Sequence, residues 1–216
     1  MSGALLAELL LTQIDETTRP DHTRLLATDK CYYLFEYTSR KGYDFSATNN
    51  LISNLKKKPS TAGTASYKYK GRAINECTSS LREVLNKKWL ATGTLVPVPC
   101  SKAVGHPDYD DRIERICRGI SAEADVRKLI IQTASTAASH EVGEGERLTV
   151  EDLLKVYRID ESVAAPQPTS IGIIDDVLTA GTHYRAMHTI LSQRFPQAKM
   201  YGIFIARRVF PDPFGD

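Results

Sequence analysis

The stretch that most constrains the fold of this chain is IGIIDDVLTAGTHYRAM, residues 171–187. Ile171 to Ile174 read as a buried strand, and Asp175 and Asp176 stand at its C-terminal end. A turn of small residues follows at Thr179, Ala180, Gly181 and Thr182, and then an amphipathic helix begins. Strand, acid pair, turn and helix in this order place the carboxylates and the turn at the C-terminal edge of a sheet. In an open parallel sheet that edge is where ligands bind.

The rest of the chain supports the same class. From Thr94 onward, short apolar runs (TLVPVP, RKLIIQ, TSIGIID, KMYGIFIA) are separated by helical segments around Ile113 and Ile116 and from Tyr184 to Phe195. Strands alternating with helices predict an α/β fold with a mainly parallel central sheet flanked by helices. Upstream, CYYLFEYT (31–38) reads as a strand. Thr48 is expected to cap a short helix through Leu51, Ile52 and Leu55 that closes at Lys56 to Lys58 before Pro59. Apolar positions from Ile74 to Trp89 predict one helix over 72–90. The opening MSGALLAELLLTQ puts Leu5, Leu6, Leu9 and Leu10 on one helical face and lacks a basic leader, so it reads as a docking helix.

Composition removes several alternatives. Lys+Arg 28 against Asp+Glu 26 leaves a net charge of +2, too little to imply a polyanionic partner by itself. Cys31, Cys77, Cys100 and Cys117 form no CxxC pair, and the five histidines show no metal-binding spacing, so a zinc site is not expected. No run approaches the ~20 apolar residues of a membrane helix, and a soluble cytoplasmic protein with reduced thiols is the expectation.

The acid pair and the turn suggest their own chemistry. Backbone N–H groups and two hydroxyls at the positive end of a helix suit a phosphate dianion, and Gly181 lets the backbone approach it closely. Asp175 and Asp176, four and three positions before Thr179, would face a sugar attached to that phosphate. Carboxylates accept from ribose hydroxyls and order water around Mg²⁺.

DDVLTAGTHYR resembles the 5-phosphoribosyl pyrophosphate signature of the type I phosphoribosyltransferase family, particularly the form found in orotate phosphoribosyltransferases. The resemblance implies that Asp175 and Asp176 hold the ribose and that Thr179, Ala180, Gly181 and Thr182 hold the 5-phosphate. The segment Val96-Pro97-Val98-Pro99, followed by Cys100, Ser101 and Lys102, is similar to the ComF-like branch. It implies pyrophosphate binding by Ser101 and Lys102. The chain departs from ComF at GHPDYDDRIER and lacks its N-terminal cysteine motif. SHEVGEGERL resembles the flexible hood of orotate enzymes, with His140 at the hood histidine but no basic residue before it. Lys128 and Arg147 flank that loop as substitutes, and Lys102, Arg147 and His140 are the implied catalytic set. The implied division is an extension with hood-side elements over 1–90 and a phosphoribosyltransferase core over 91–216. The implied function is transfer of a phosphoribosyl group from its Mg²⁺ complex to a nitrogen acceptor, as a homodimer or with a partner protein. The alternative is a non-catalytic nucleotide-binding module in regulation or DNA handling.

Two further signals have two readings each. TASYKYKGR interleaves Tyr67 and Tyr69 with Lys68 and Lys70 and predicts an edge strand with a lysine face or, with Lys56 to Lys58 and Arg72, a stacking and phosphate-contacting surface for a single nucleic-acid strand. Arg207 either faces the leaving or accepting group or is a salt-bridged surface residue.

Overall fold

In a computed structural model of the protein, residues 9–136 and 148–212 are described. In chain order these are β1 (Thr12–Gln13), β2 (Cys31–Thr38), α1 (Ala47–Leu55), α2 (Lys68–Val84), α3 (Lys87–Leu90), β3 (Thr94–Pro97), α4 (Arg112–Ile120), β4 (Asp125–Val126) and β5 (Ile130–Gln132). They continue with α5 (Val150–Val156), β6 (Tyr157–Ile159), β7 (Ser170–Leu178), α6 (Thr182–Arg194) and β8 (Lys199–Val209). Six strands form the central sheet in the order β1-β2-β8-β7-β3-β4. Only β1 runs antiparallel to its neighbour. The α/β class is therefore as expected, with a mixed but mostly parallel sheet of Rossmann-like type.

The order of the strands positions the site. From β3 the chain crosses through α4 to β4 on one side, whereas from β7 it crosses through α6 to β8 on the other. The two connections diverge between the adjacent strands β3 and β7, and that point of reversal opens a crevice above their C-terminal ends.

Successive side chains of a strand point to opposite faces, so each face acquires its own core. On one face Val96, Ile171, Ile173 and Phe204 pack with Tyr184, Met187 and Leu191 of α6 and Leu153 of α5. On the other, Leu95, Ile174, Ile203 and Ile205 pack with residues of α1, α2 and α4 such as Leu55, Leu81 and Ile116. Residues from both sides of position 90 share the sheet, since β2 pairs along its length with β8.

Three local expectations change. Ser46, not Thr48, caps α1, its hydroxyl accepting from Asn49 N–H at 3.0 Å. The single helix over 72–90 is two, because Leu85 is extended and Asn86 caps α3 by accepting from Lys88 and Trp89 N–H. TASYKYKGR is a 3-10 turn over Ala65–Tyr67 followed by the start of α2, and not an edge strand. Its period-2 alternation yields to the helical spacing of Ala73, Ile74, Cys77 and Leu81, which all bury on one face, and Lys70 on that same side is itself buried. Tyr69 stays exposed between Lys68 and Arg72. The expected docking helix lies mostly outside the described residues; Leu9 and Leu11 pack against the second core, and Thr12–Gln13 is strand.

Candidate functional site

Residues at the crevice come from both sides of the strand reversal. β7 delivers Asp175 and Asp176, the segment after β3 delivers Val98 to Lys102, and a third contribution arrives from Lys56 and Lys58 beyond α1. Together with Asp110, Arg112, Thr179 and His183 they line a cleft of about 140 Å³.

The two carboxylates have different surroundings. Asp176 Oδ2 accepts from Arg112 Nε at 3.0 Å and Nη2 at 2.6 Å, and its Oδ1 is 3.1 Å from Lys56 Nζ. Burial opposes its ionisation, but Lys56 and Arg112 outweigh burial and hold the carboxyl below the ordinary carboxylate range. Among the described residues Asp175 has no such cation at contact distance. Burial first, and then the charge of Asp176, push its carboxyl well above the usual value, outweighing the N–H donated by Asp176 at 2.8 Å and the more distant charges of Lys56 and Arg112. One acid is thus fixed as an anion, and its neighbour is disfavoured as one by burial and by that anion.

Arg112 is held in turn. Its Nη1 donates to Asp110 Oδ2 at 2.7 Å, and the same oxygen accepts from Lys70 Nζ at 2.7 Å. Lys70 also donates to the carbonyls of Leu55 and Lys57, which ties the end of α1 to α2. A buried ammonium is tolerated only when all its donors are used, and here three oxygens use them. The chain Lys70–Asp110–Arg112–Asp176–Lys56 therefore links α2, α4, β7 and the residue after α1.

The turn after β7 is braced from the N-terminal segment. Gly181 has φ +89°, in the left-handed region, and a Cβ there would lie 3.1 Å from Leu25 Cδ2. His22 Nδ1 donates to Thr179 O at 2.5 Å and Arg24 N–H to Ala180 O at 2.8 Å. Arg185 of α6 donates to Arg24 O at 3.1 Å and pairs with Asp29. With these carbonyls turned onto residues 22–24, the first N–H groups of α6, which have no intrahelical acceptor, are left at its N-terminus.

Asp175, Asp176, Thr179, Ser101 and Lys102 thus meet at one cleft, and Ala180, Gly181 and Thr182 form the turn that leads into α6. Lys102 Nζ is 3.4 Å from Thr136 O, and Thr136 N–H donates to Ser101 O at 2.8 Å, which joins the segment after β3 to the one after β5. His140 and Arg147 lie outside the described residues. Lys128 does not line the cleft; it pairs with Glu114 at 3.2 Å. Arg207 is the salt-bridged residue of its two readings, with Glu36 at 2.6 Å and Asp21 at 3.3 Å.

The sequence offers Lys56 and Lys70 only for a nucleic-acid surface and not for this cleft, and it does not single out Asp110, Arg112, His22 or His183 for the site. The DDR run at 110–112, opening an amphipathic helix, carried a usable signal for Arg112; nothing local marks the others. Among the described residues no group of three or more His, Cys, Asp or Glu could hold a metal, and no helix is long and apolar enough to cross a membrane.

What the fold and cleft define is an α/β chain with a mixed acidic and basic crevice at the strand reversal of its sheet. No known family matches the chain, and no curated protein is significantly similar to it.

Proposed function

We propose that the cleft binds 5-phosphoribosyl pyrophosphate, or a close relative, and that the chain is a type I phosphoribosyltransferase acting on a nitrogen acceptor. The observation that carries this is the juxtaposition, at the strand reversal, of an acid pair and a helix-initiating turn with Lys56, Lys58, Lys102 and Arg112. A ligand with a phosphate at one end, a diol in the middle and a pyrophosphate at the other matches that order of groups.

In this reading the N-terminus of α6 and the hydroxyls of Thr179 and Thr182 take the 5-phosphate. Asp175 accepts from the ribose diol. Ser101 and Lys102, with Lys56 and Arg112 nearby, face the pyrophosphate. The C1–O bond to pyrophosphate breaks with its electron pair leaving on oxygen, the acceptor nitrogen bonds to C1, and the nitrogen's proton passes to solvent. Positive charge placed where the leaving group gains negative charge is the protein's main contribution to such a step. Mg²⁺ fits a site short of a complete protein cage, because it keeps much of its water and travels with phosphates. Asp175, which among the described residues has no cation at contact distance, is the residue that would face it, and when bound the ion would supply charge to the pyrophosphate oxygens.

A second reading has one observation in its favour: Asp176 is already saturated by Arg112 and Lys56. A non-catalytic nucleotide-binding module would keep the cleft without needing those cations for a leaving group. Labelled 5-phosphoribosyl pyrophosphate with Mg²⁺ and a panel of bases, amines and polynucleotides separates the two. Acceptor-dependent pyrophosphate release is the transferase outcome, whereas binding with no release under any acceptor leaves the module.

A further inference from the structure

His183, the second residue of α6, lines the cleft alongside Thr179, Asp175 and Lys102. Its Nδ1 lies 2.8 Å from the hydroxyl of Tyr157, the first residue of β6. Tyr157 is 1% exposed, and its hydroxyl has no other hydrogen-bond partner among the described residues. That geometry decides the direction of the bond. If Nδ1 carried the proton and donated it, the phenol proton would be sealed inside the protein without an acceptor, at a cost of ~1–3 kcal/mol. The phenol therefore donates, Nδ1 accepts, and the proton of a neutral imidazole sits on Nε2.

The surroundings keep the ring neutral. Burial lowers the pKa of His183 to about 4; Asp176 opposes this, whereas Lys56 and Arg112 reinforce it. Asp175 and Lys102 also line the cleft here, and β6 contributes the Tyr157 hydroxyl, itself held protonated by burial and by Asp175. Nε2 makes no hydrogen bond to the protein among the described residues, and it is not among the sealed, unpartnered polar atoms. It is an unused donor on the cleft wall, one residue beyond a turn built for an anion.

We propose that His183 donates its Nε2–H to an oxygen of the phosphate seated at the N-terminus of α6, and that Tyr157 is the positioning residue that fixes the tautomer required for it. The inference rests on the phosphate reading of the turn and adds to it a specific side chain. It also gives the two-stranded β5–β6 sheet a direct link to the phosphate end, through the residue that follows α5.

The test uses the full chain and two probes, ribose 5-phosphate and inorganic pyrophosphate, titrated by calorimetry into wild type, His183→Ala, His183→Gln and Tyr157→Phe. Loss of one neutral hydrogen bond is worth roughly 3–10-fold, so His183→Ala is expected to weaken ribose 5-phosphate by about that factor and to change pyrophosphate little. His183→Gln, whose amide can offer an N–H in place of Nε2–H, is expected to recover most of the loss, and Tyr157→Phe to fall between. Equal affinity in His183→Ala and wild type, or equal losses in the Ala and Gln variants, overturns the donor role. Because Tyr157→Phe can unfold the chain, the wild-type imidazole is also read by ¹⁵N NMR. The Nε2–H tautomer, persisting near neutral pH and shifting at Nε2 on ribose 5-phosphate addition, supports the proposal, and an Nδ1–H or doubly protonated ring overturns it. Wild type that holds the Nε2–H tautomer but binds no ribose 5-phosphate overturns the phosphate reading and the donor role together. Wild type that binds ribose 5-phosphate while His183→Ala is unaffected removes only the latter.

Discussion

Asp175 and Asp176 are adjacent in sequence, yet one keeps its charge easily and the other does not. The pair reads as uniform in the sequence, where two carboxylates at a strand end look interchangeable. Their difference comes from Lys56 and Arg112, residues 120 and 64 positions away from Asp176, which no local pattern could pair with it. The raised carboxyl of Asp175 has a consequence for stability. A group whose folded pKa lies above its unfolded value stabilises at pH below the unfolded value and loses that contribution as pH rises through the folded one. Asp175→Asn should therefore raise the melting temperature of the ligand-free protein at pH 8, by roughly 2–4 °C for each kcal/mol of relieved ionisation. Near pH 4 the difference should vanish. Thermal melts at both values check this, and an Asn variant less stable at pH 8 would contradict the electrostatics assigned to Asp175. Asp176→Asn should act oppositely. It leaves Arg112 and Lys56 facing a neutral amide and should cost about 3–5 kcal/mol, as breaking one side of a buried pair does, readable from denaturant midpoints.

At the scale of elements, the site depends on braces that are remote in sequence. The alternation of Tyr and Lys at 67–70 reads as an edge strand with a lysine face, but it coincides with the start of α2 and Lys70 falls on the buried side. Its buried ammonium instead holds Asp110, which holds Arg112. Lys70→Met keeps the length of the stem and removes the charge, leaving Asp110 bound to Arg112 alone and the carbonyls of Leu55 and Lys57 without their donor. The expected result is a loss of about 1–3 kcal/mol for the unsatisfied groups, seen in urea titration, together with weaker ligand binding through the displaced Arg112. The segment from His22 to Asp29 does for the turn what Lys70 does for Arg112. His22→Asn retains a donor near the position of Nδ1 and should keep ribose 5-phosphate affinity, whereas His22→Ala should reduce it by roughly 2–10-fold, one hydrogen bond's worth. Equal affinities for the two variants in calorimetry would show that the His22–Thr179 bond does not shape the turn. None of this bracing was legible beforehand, because a histidine among polar residues carries no sign of the carbonyl it will meet 157 positions later.

For the whole molecule, the legible part was the strand–acid pair–turn–helix unit and the alternation that makes a mostly parallel sheet. Both are local: β7 opens with the buried apolar run Ile171 to Ile174, and Gly181 of the turn stands where the backbone needs φ above zero. What could not be read was the order of the strands. It follows from which edges pair, and it brings the segment after β3 beside the end of β7 while sending α4 and α6 to opposite faces. That order turns two separate sequence signals, Ser101–Lys102 and Asp175–Thr182, into one cleft. It also explains why residues before position 90 belong to the site: β2 pairs with β8, and α1, packed on the same face as α4, brings Lys56 to Asp176. In the proposed reading this cleft binds a phosphoribosyl pyrophosphate through the turn and Asp175 together. That reading is tested most directly by titrating 5-phosphoribosyl pyrophosphate into the protein with and without Mg²⁺ and repeating the titration with Asp175→Asn. The expected result is saturable one-to-one binding that Mg²⁺ strengthens in wild type and strengthens much less in the variant. Absence of binding to folded wild type, or binding indifferent both to Mg²⁺ and to Asp175, would contradict it.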